Sequence, residues 1–168
     1  SDGCSSDLVP RILLLGDSIR LSYQERVAEL LGAEAEVVFP KGNGLDTRHT
    51  LAELPGWLEE FAPDAVHFNC GLHDVKRGRG AGAGRQVELA DYKKNLTRIV
   101  ELLAARCPGR VAWGTITPVV EAWHQAVRDF DRLNADVDVY NAAARAVMAE
   151  RKIPVTDLPA VVVNGPAE

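Results

Sequence analysis

The tripeptide Gly16-Asp17-Ser18 closes the apolar run Arg11-Ile12-Leu13-Leu14-Leu15. A small residue, an acid and a hydroxyl at such a point suit nucleophilic chemistry. An uninterrupted Ile/Leu run reads as a strand buried in a parallel sheet, and open α/β sheets hold ligands beyond the carboxyl ends of their strands. Leu21, Tyr23, Val27, Leu30 and Leu31 then recur at roughly helical spacing, so Ser18 falls where a helix begins and unpaired backbone N–H groups point outward. A hydroxyl there can attack a carbonyl carbon while those N–H groups receive the developing oxyanion. A serine at a helix start also serves as a plain N-cap, so the assignment depends on its companions.

Two later segments supply candidates. Ala35-Glu36-Val37-Val38-Phe39 reads as a second strand, left by the loop Pro40-Lys41-Gly42-Asn43-Gly44-Leu45-Asp46. Two glycines around an Asn make a tight turn, and in a parallel sheet this turn shares the crevice of Ser18. Ala65-Val66-His67-Phe68-Asn69 is a third strand running into Cys70-Gly71-Leu72-His73-Asp74, which puts His73 and Asp74 at another carboxyl end. The stretch from Lys76 to Arg85, rich in Gly and Arg, has nothing to pack. It is expected as a mobile, basic surface loop beside the site, either solvated or acting as a lid or an attractor of anionic substrate.

The elements that must position these residues follow from periodicity. Leu51, Leu54, Trp57, Leu58 and Phe61 stripe a second helix; Leu89, Tyr92, Leu96, Ile99, Val100 and Leu103 stripe a third. Arg110-Val111-Ala112-Trp113-Gly114-Thr115 is a fourth strand, followed by Thr117-Pro118 and a segment with Trp123 and His124. Leu133, Val137, Tyr140, Ala144 and Val147 mark the last helix, and Ile153-Pro154-Val155-Thr156-Asp157 a short fifth strand. Regular alternation of strand and helix predicts a three-layer α/β/α sandwich, flavodoxin-like, with a central parallel sheet of about five strands, in one domain over residues 1–168.

Composition narrows the function classes. A net charge of −5 over 168 residues argues against a general nucleic-acid binder. No apolar run approaches the roughly 20 residues that span a bilayer. Cys4, Cys70 and Cys107 form no CxxC pair, so neither a disulfide framework nor a zinc site is indicated.

With strands and loops placed, the sequence resembles the GDSL or SGNH hydrolase family of esterases and lipases. Gly16-Asp17-Ser18 matches its first block, Asn43 and Gly44 fall in its second, and Gly71-Leu72-His73-Asp74 corresponds to its third, usually Gly-x-Asn-Asp. Softer similarities run through Tyr92-Lys93-Lys94-Asn95-Leu96, Thr117-Pro118, Tyr140-Asn141 and Thr156-Asp157-Leu158. The resemblance implies hydrolysis of a small-molecule carboxylic ester with no metal or organic cofactor. It makes Ser18 the nucleophile, with oxyanion donors from the Ser18 and Gly44 N–H groups and the side chain of His73 or Asn43.

Two departures follow. His73 stands where the family has Asn; an imidazole N–H can donate as an amide does. The Gly-Leu-His-Asp variant resembles carbohydrate-active esterases, which points to an acetylated sugar or another short acyl ester. The second departure is that the family's last block, Asp-x-x-His, is missing from the carboxyl-terminal part, which closes with Val161-Val162-Val163-Asn164-Gly165-Pro166-Ala167-Glu168. Serine without a base loses several orders of magnitude in rate. Three expectations stand: that the block follows Glu168, that His73, His124 or His49 substitutes, or that the chain is an inactive relative binding its ligand in the old crevice. A nucleotide-binding Rossmann domain is disfavoured because no G-x-G-x-x-G turn follows Leu15.

Overall fold

The computed structural model describes residues 8–158. Cys4 and the segment after Leu158, where the approach to a last block is expected, lie outside the described residues. Five strands form one parallel sheet: β1 (Arg11–Leu15), β2 (Glu36–Val38), β3 (Ala65–Phe68), β4 (Val111–Gly114) and β5 (Val155–Thr156), in the order β2-β1-β3-β4-β5. The helices are α1 (Ser18–Leu31), α2 (Thr47–Phe61), α3 (Leu89–Arg106), the short α4 (Glu121–Val127) and α5 (Asn134–Glu150). The chain moves one way from β1 to β2 and the other way thereafter. Right-handed crossovers therefore put α1 on one face and α2, α3 and α5 on the other, where α3 packs against both α2 and α5. This is the expected α/β architecture.

The strands' period of two divides the apolar residues unevenly. Leu13, Leu15, Val66, Phe68, Val111 and Trp113 are buried in the core with Leu96, Ile99, Val100 and Leu103 of α3 and Tyr140 and Val147 of α5. On the opposite face Ile12, Leu14 and His67 border an open apolar hollow of about 560 Å³ beside Tyr23 and Val27 of α1. β1 is nonetheless buried from Leu13 to Leu15, as expected, and only its entry at Arg11 and Ile12 is partly exposed.

One expectation is overturned. The Gly/Arg stretch after Lys76 does not float: Arg77 bridges to Arg85 and Asp131 in antiparallel fashion, and both Arg77 and Arg85 form ion pairs with Asp136 of α5 at 2.8 and 2.9 Å. Arg79 adds a bond to Asp131 at 3.2 Å. A carboxylate some fifty residues downstream supplies what the loop cannot provide for itself.

Because all strands are parallel, their carboxyl ends share one rim. Polar struts tie the segments there: Asn69 N–H donates to Leu15 O at 3.1 Å, Gly44 N–H to Gly16 O at 2.9 Å and Tyr92 Oη to Cys70 O at 3.0 Å. Asn141 both accepts from Ile116 N–H and donates to Ile116 O.

Candidate active site

Ser18 opens α1, and the cap is Asp17, whose Oδ1 accepts the Ile19 N–H at 2.9 Å. Gly16 lets the chain pass: a Cβ there would collide with the Asn69 side chain and stand 2.7 Å from Arg20 Cβ. Burial pushes the Asp17 carboxyl up, against the opposing pull of the Ile19 hydrogen bond and the charges of Arg132 and Arg20. Ser18 itself is exposed. Neither its hydroxyl nor its N–H is engaged by another described residue; the capping oxygen has gone to the next N–H along.

The second loop is held from below by Arg20, which is almost wholly buried. Its guanidinium donates to Pro40 O at 3.0 Å, Gly16 O at 3.1 Å and Gly42 O at 2.6 Å. Gly44 lies so close to β1's exit that a Cβ would sit 2.6 Å from Gly16 O. The N–H expected to face an oxyanion is thus spent on Gly16. Asn43 turns its Oδ1 to the Leu45 N–H at 2.8 Å, an Asx turn that stabilises Leu45 at φ 54°.

The third loop is anchored by Asp74, which is fully buried. Both its oxygens accept the Thr47 N–H at 3.2 Å, and Oδ1 takes the Thr47 hydroxyl at 2.5 Å. Burial pushes its carboxyl up to about 6 despite those bonds. Asp46 next door goes the other way: burial would raise it, but hydrogen bonds from Arg48, the His49 N–H and Gln86 hold it at about 2. His73 is half-buried and drops to about 4, through burial first and the charges of Arg132 and Lys76 second. Its imidazole is therefore neutral near pH 7, carrying one N–H to donate.

Ser18 lies on the wall of a depression of about 430 Å³ with Leu72, Thr117, Trp123, His124, Arg128 and Arg132. Arg132 Nε donates to Leu72 O at 2.6 Å, next to His73. His124 is buried, with Nδ1 unpartnered and its ring edge-on to Trp123 at 5.2 Å; burial, Arg132 and Arg128 all lower its pKa. Of the three histidines considered as substitute bases, His124 shares this wall and His73 adjoins it. His49 instead packs against Trp57 at 6.3 Å.

The Asp-x-x-His spacing does occur twice earlier in the chain, matches the sequence reading passed over: at Asp64-Ala65-Val66-His67, where Asp64 Oδ2 accepts the Arg11 N–H at 2.8 Å at the entry of β3, and at Asp46-Thr47-Arg48-His49. There it is a helix cap: Asp46 Oδ1 accepts the His49 backbone N–H at 3.0 Å and its other oxygen binds Arg48 and Gln86. Sequence reasoning also missed Arg20 and Arg132, whose roles need partners 20 and 60 residues away. Among the described residues no group of three or more His, Cys, Asp and Glu could hold a metal ion, and no helix is long and apolar enough to cross a membrane.

Comparison with known proteins adds three findings. The profile of the GDSL-like lipase/acylhydrolase family matches residues 3–168. No curated protein matches the chain. Similar solved structures include a lipase/acylhydrolase from Enterococcus faecalis, at 21% identity over 94% of this chain and 80% of that one, TM-score 0.70. An acetyl xylan esterase, AlAXEase, shares 18% identity over 93% and 83%, TM-score 0.70. A psychrotrophic esterase from Pseudoalteromonas sp. shares 14% over 89% and 77%, TM-score 0.65. At these identities the likeness is one of fold.

Proposed function

Since this chain belongs to the GDSL-like lipase/acylhydrolase family, we propose that it hydrolyses short carboxylic esters with Ser18 as nucleophile. Ser18 Oγ attacks the acyl carbon, a base takes its proton, and the alcohol leaves with that proton; water then releases the acid from the acyl-serine. The Ser18 N–H and the neutral imidazole N–H of His73 receive the tetrahedral oxyanion, with Asn43 Nδ2 as a further donor. Gly44 contributes its lack of a side chain, its own N–H being held by Gly16 O. The observation that carries this reading is that the Ser18 hydroxyl and N–H are both unengaged on the wall of the depression, within a rim where most other polar groups are bonded.

A neutral imidazole is the form that accepts a proton, and His124 is such a group on the same wall. The alternative source is an Asp-x-x-His block following Glu168. The acetyl xylan esterase among the similar folds, with the Gly-Leu-His-Asp loop, supports acetyl esters of carbohydrates as first substrates.

Ser18→Ala should lower hydrolysis of 4-nitrophenyl acetate by about 10³-fold or more, and a fluorophosphonate probe should label the wild type but not the variant. Hydrolysis retained in Ser18→Ala refutes the nucleophile. An unlabelled wild type with no turnover replaces the reading with that of a ligand-binding domain. His124→Ala should match Ser18→Ala if His124 is the base; activity preserved there assigns the base elsewhere.

A further inference from the structure

The chain as a whole carries a net charge of −5, yet the depression beside Ser18 has the opposite sign. Arg128 and Arg132 both line it, and none of its lining residues is acidic. Nine arginines elsewhere pair with carboxylates, as Arg77 and Arg85 do with Asp136. The other exposed arginines without an ion pair among the described residues, Arg106 and Arg110, stand apart from this wall, at and just beyond the end of α3. Arg128 and Arg132 make no ion pair among the described residues. Arg132 is fixed through Nε by Leu72 O, which leaves its terminal nitrogens unspent, and its guanidinium lies 5.0 Å from the Phe130 ring centre. Arg128 sits 5.4 Å from the ring centre of Trp123, an indole half-exposed on the same wall.

Asp17 is the acid whose charge acts on Arg132. It is buried behind Ser18 with Oδ1 committed to the Ile19 N–H, so it attracts Arg132 without bridging the two guanidiniums. Two like charges on one concave wall repel, and a planar oxyanion between them would relieve that repulsion through paired N–H donors.

We infer that the site selects esters carrying a carboxylate a few bonds from the scissile carbonyl, held by Arg132 and Arg128 with Trp123 covering its apolar part. This rests on the hydrolase reading above and narrows its substrate class. The carboxylate can sit on either half of the ester, and matched pairs tell the halves apart. On the alcohol side, 4-acetoxybenzoate is compared with its neutral methyl ester; on the acyl side, 4-nitrophenyl hydrogen succinate with 4-nitrophenyl methyl succinate.

In one of the two pairs kcat/KM should favour the anion by about tenfold or more at low salt, with the preference shrinking at 0.5 M NaCl, roughly, as screening requires. Arg128→Gln should bring that ratio near unity. Arg98→Gln, which removes an arginine of α3 paired with Glu101, should leave it as in the wild type. A ratio at or below unity in both pairs, or one that Arg128→Gln does not lower, overturns the inference. If no ester is cleaved, the hydrolase reading fails separately and binding decides. Saturable quenching of Trp123 fluorescence by monomethyl succinate, absent with dimethyl succinate and lost in Arg128→Gln, sustains the anion site; equal or absent quenching ends it.

Discussion

Replacing Asp74 by Asn keeps the shape of the strut between the second and third loops and removes its charge. The amide oxygen can still accept the Thr47 N–H, now 3.2 Å from the carboxylate. What disappears is a titration. In the folded protein burial places this carboxyl at about 6, against the usual 3.8, a gap that corresponds to about 3 kcal/mol. The sign follows from which state ionises first. Below about pH 4 both states are protonated and the contribution is fully present. As pH rises, the unfolded chain ionises near 3.8 while the folded one holds its proton, so stability drains away until about pH 6. The stability of the wild type relative to Asp74→Asn should therefore fall by about 2–3 kcal/mol between pH 4 and pH 7. Asp46, held at about 2, titrates in both proteins and largely cancels. Urea unfolding of both proteins across this range, followed by tryptophan fluorescence, reads the difference directly. Parallel curves, agreeing within about 0.5 kcal/mol at every pH, would refute the claim that a buried, proton-holding carboxyl joins the loops.

Two further outcomes test the surroundings of the site. His73 should titrate near 4 rather than 6.5, because burial and the charges of Arg132 and Lys76 oppose its protonation; a two-dimensional NMR titration showing its ring protons moving between pH 6 and 7 would contradict the neutral donor. Asp136→Asn should free the loop after Lys76. Asp136 is 7% exposed while Arg77 and Arg85 are 31% and 27% exposed, so the guanidiniums can rehydrate and the loss should be modest, about 1–2 kcal/mol. Trypsin should then cut at Arg79 or Arg85 faster than in the wild type, and an unchanged rate would mean the carboxylate is not what pins the loop.

Legibility in the sequence followed the range of each interaction. β1, β3 and the striped helices α3 and α5 could be read because their signal lies within one turn or one strand. The short β2 and β5 were placed within one or two residues, since edge strands have few residues to show a period. Polar ties across the fold left no trace. Nothing near Arg20 marks it as a buried clamp for three carbonyls, and nothing in the Gly/Arg stretch announces Asp136. The same blindness hid the cap at Asp46, whose spacing to His49 imitates a catalytic pair while its oxygens are taken by a backbone N–H, Arg48 and Gln86.

Those long-range ties also explain why Ser18 is left with an unspent hydroxyl. At a helix start the first N–H groups and any nearby oxygen ordinarily satisfy one another. Here Asp17 takes the capping role one position early and bonds Ile19. Gly44 closes on Gly16 and Arg20 gathers two carbonyls of the second loop, Pro40 and Gly42. The Asp17 oxygen and the Gly44 N–H are committed in this way, the latter beside a buried Arg20 network that is correspondingly costly to break. The availability of the Ser18 hydroxyl is thus a property of the rim around it: if Ser18 acts as proposed, loosening Arg20 or the Asp74 strut should free polar groups able to reach it and lower ester hydrolysis without touching the serine itself.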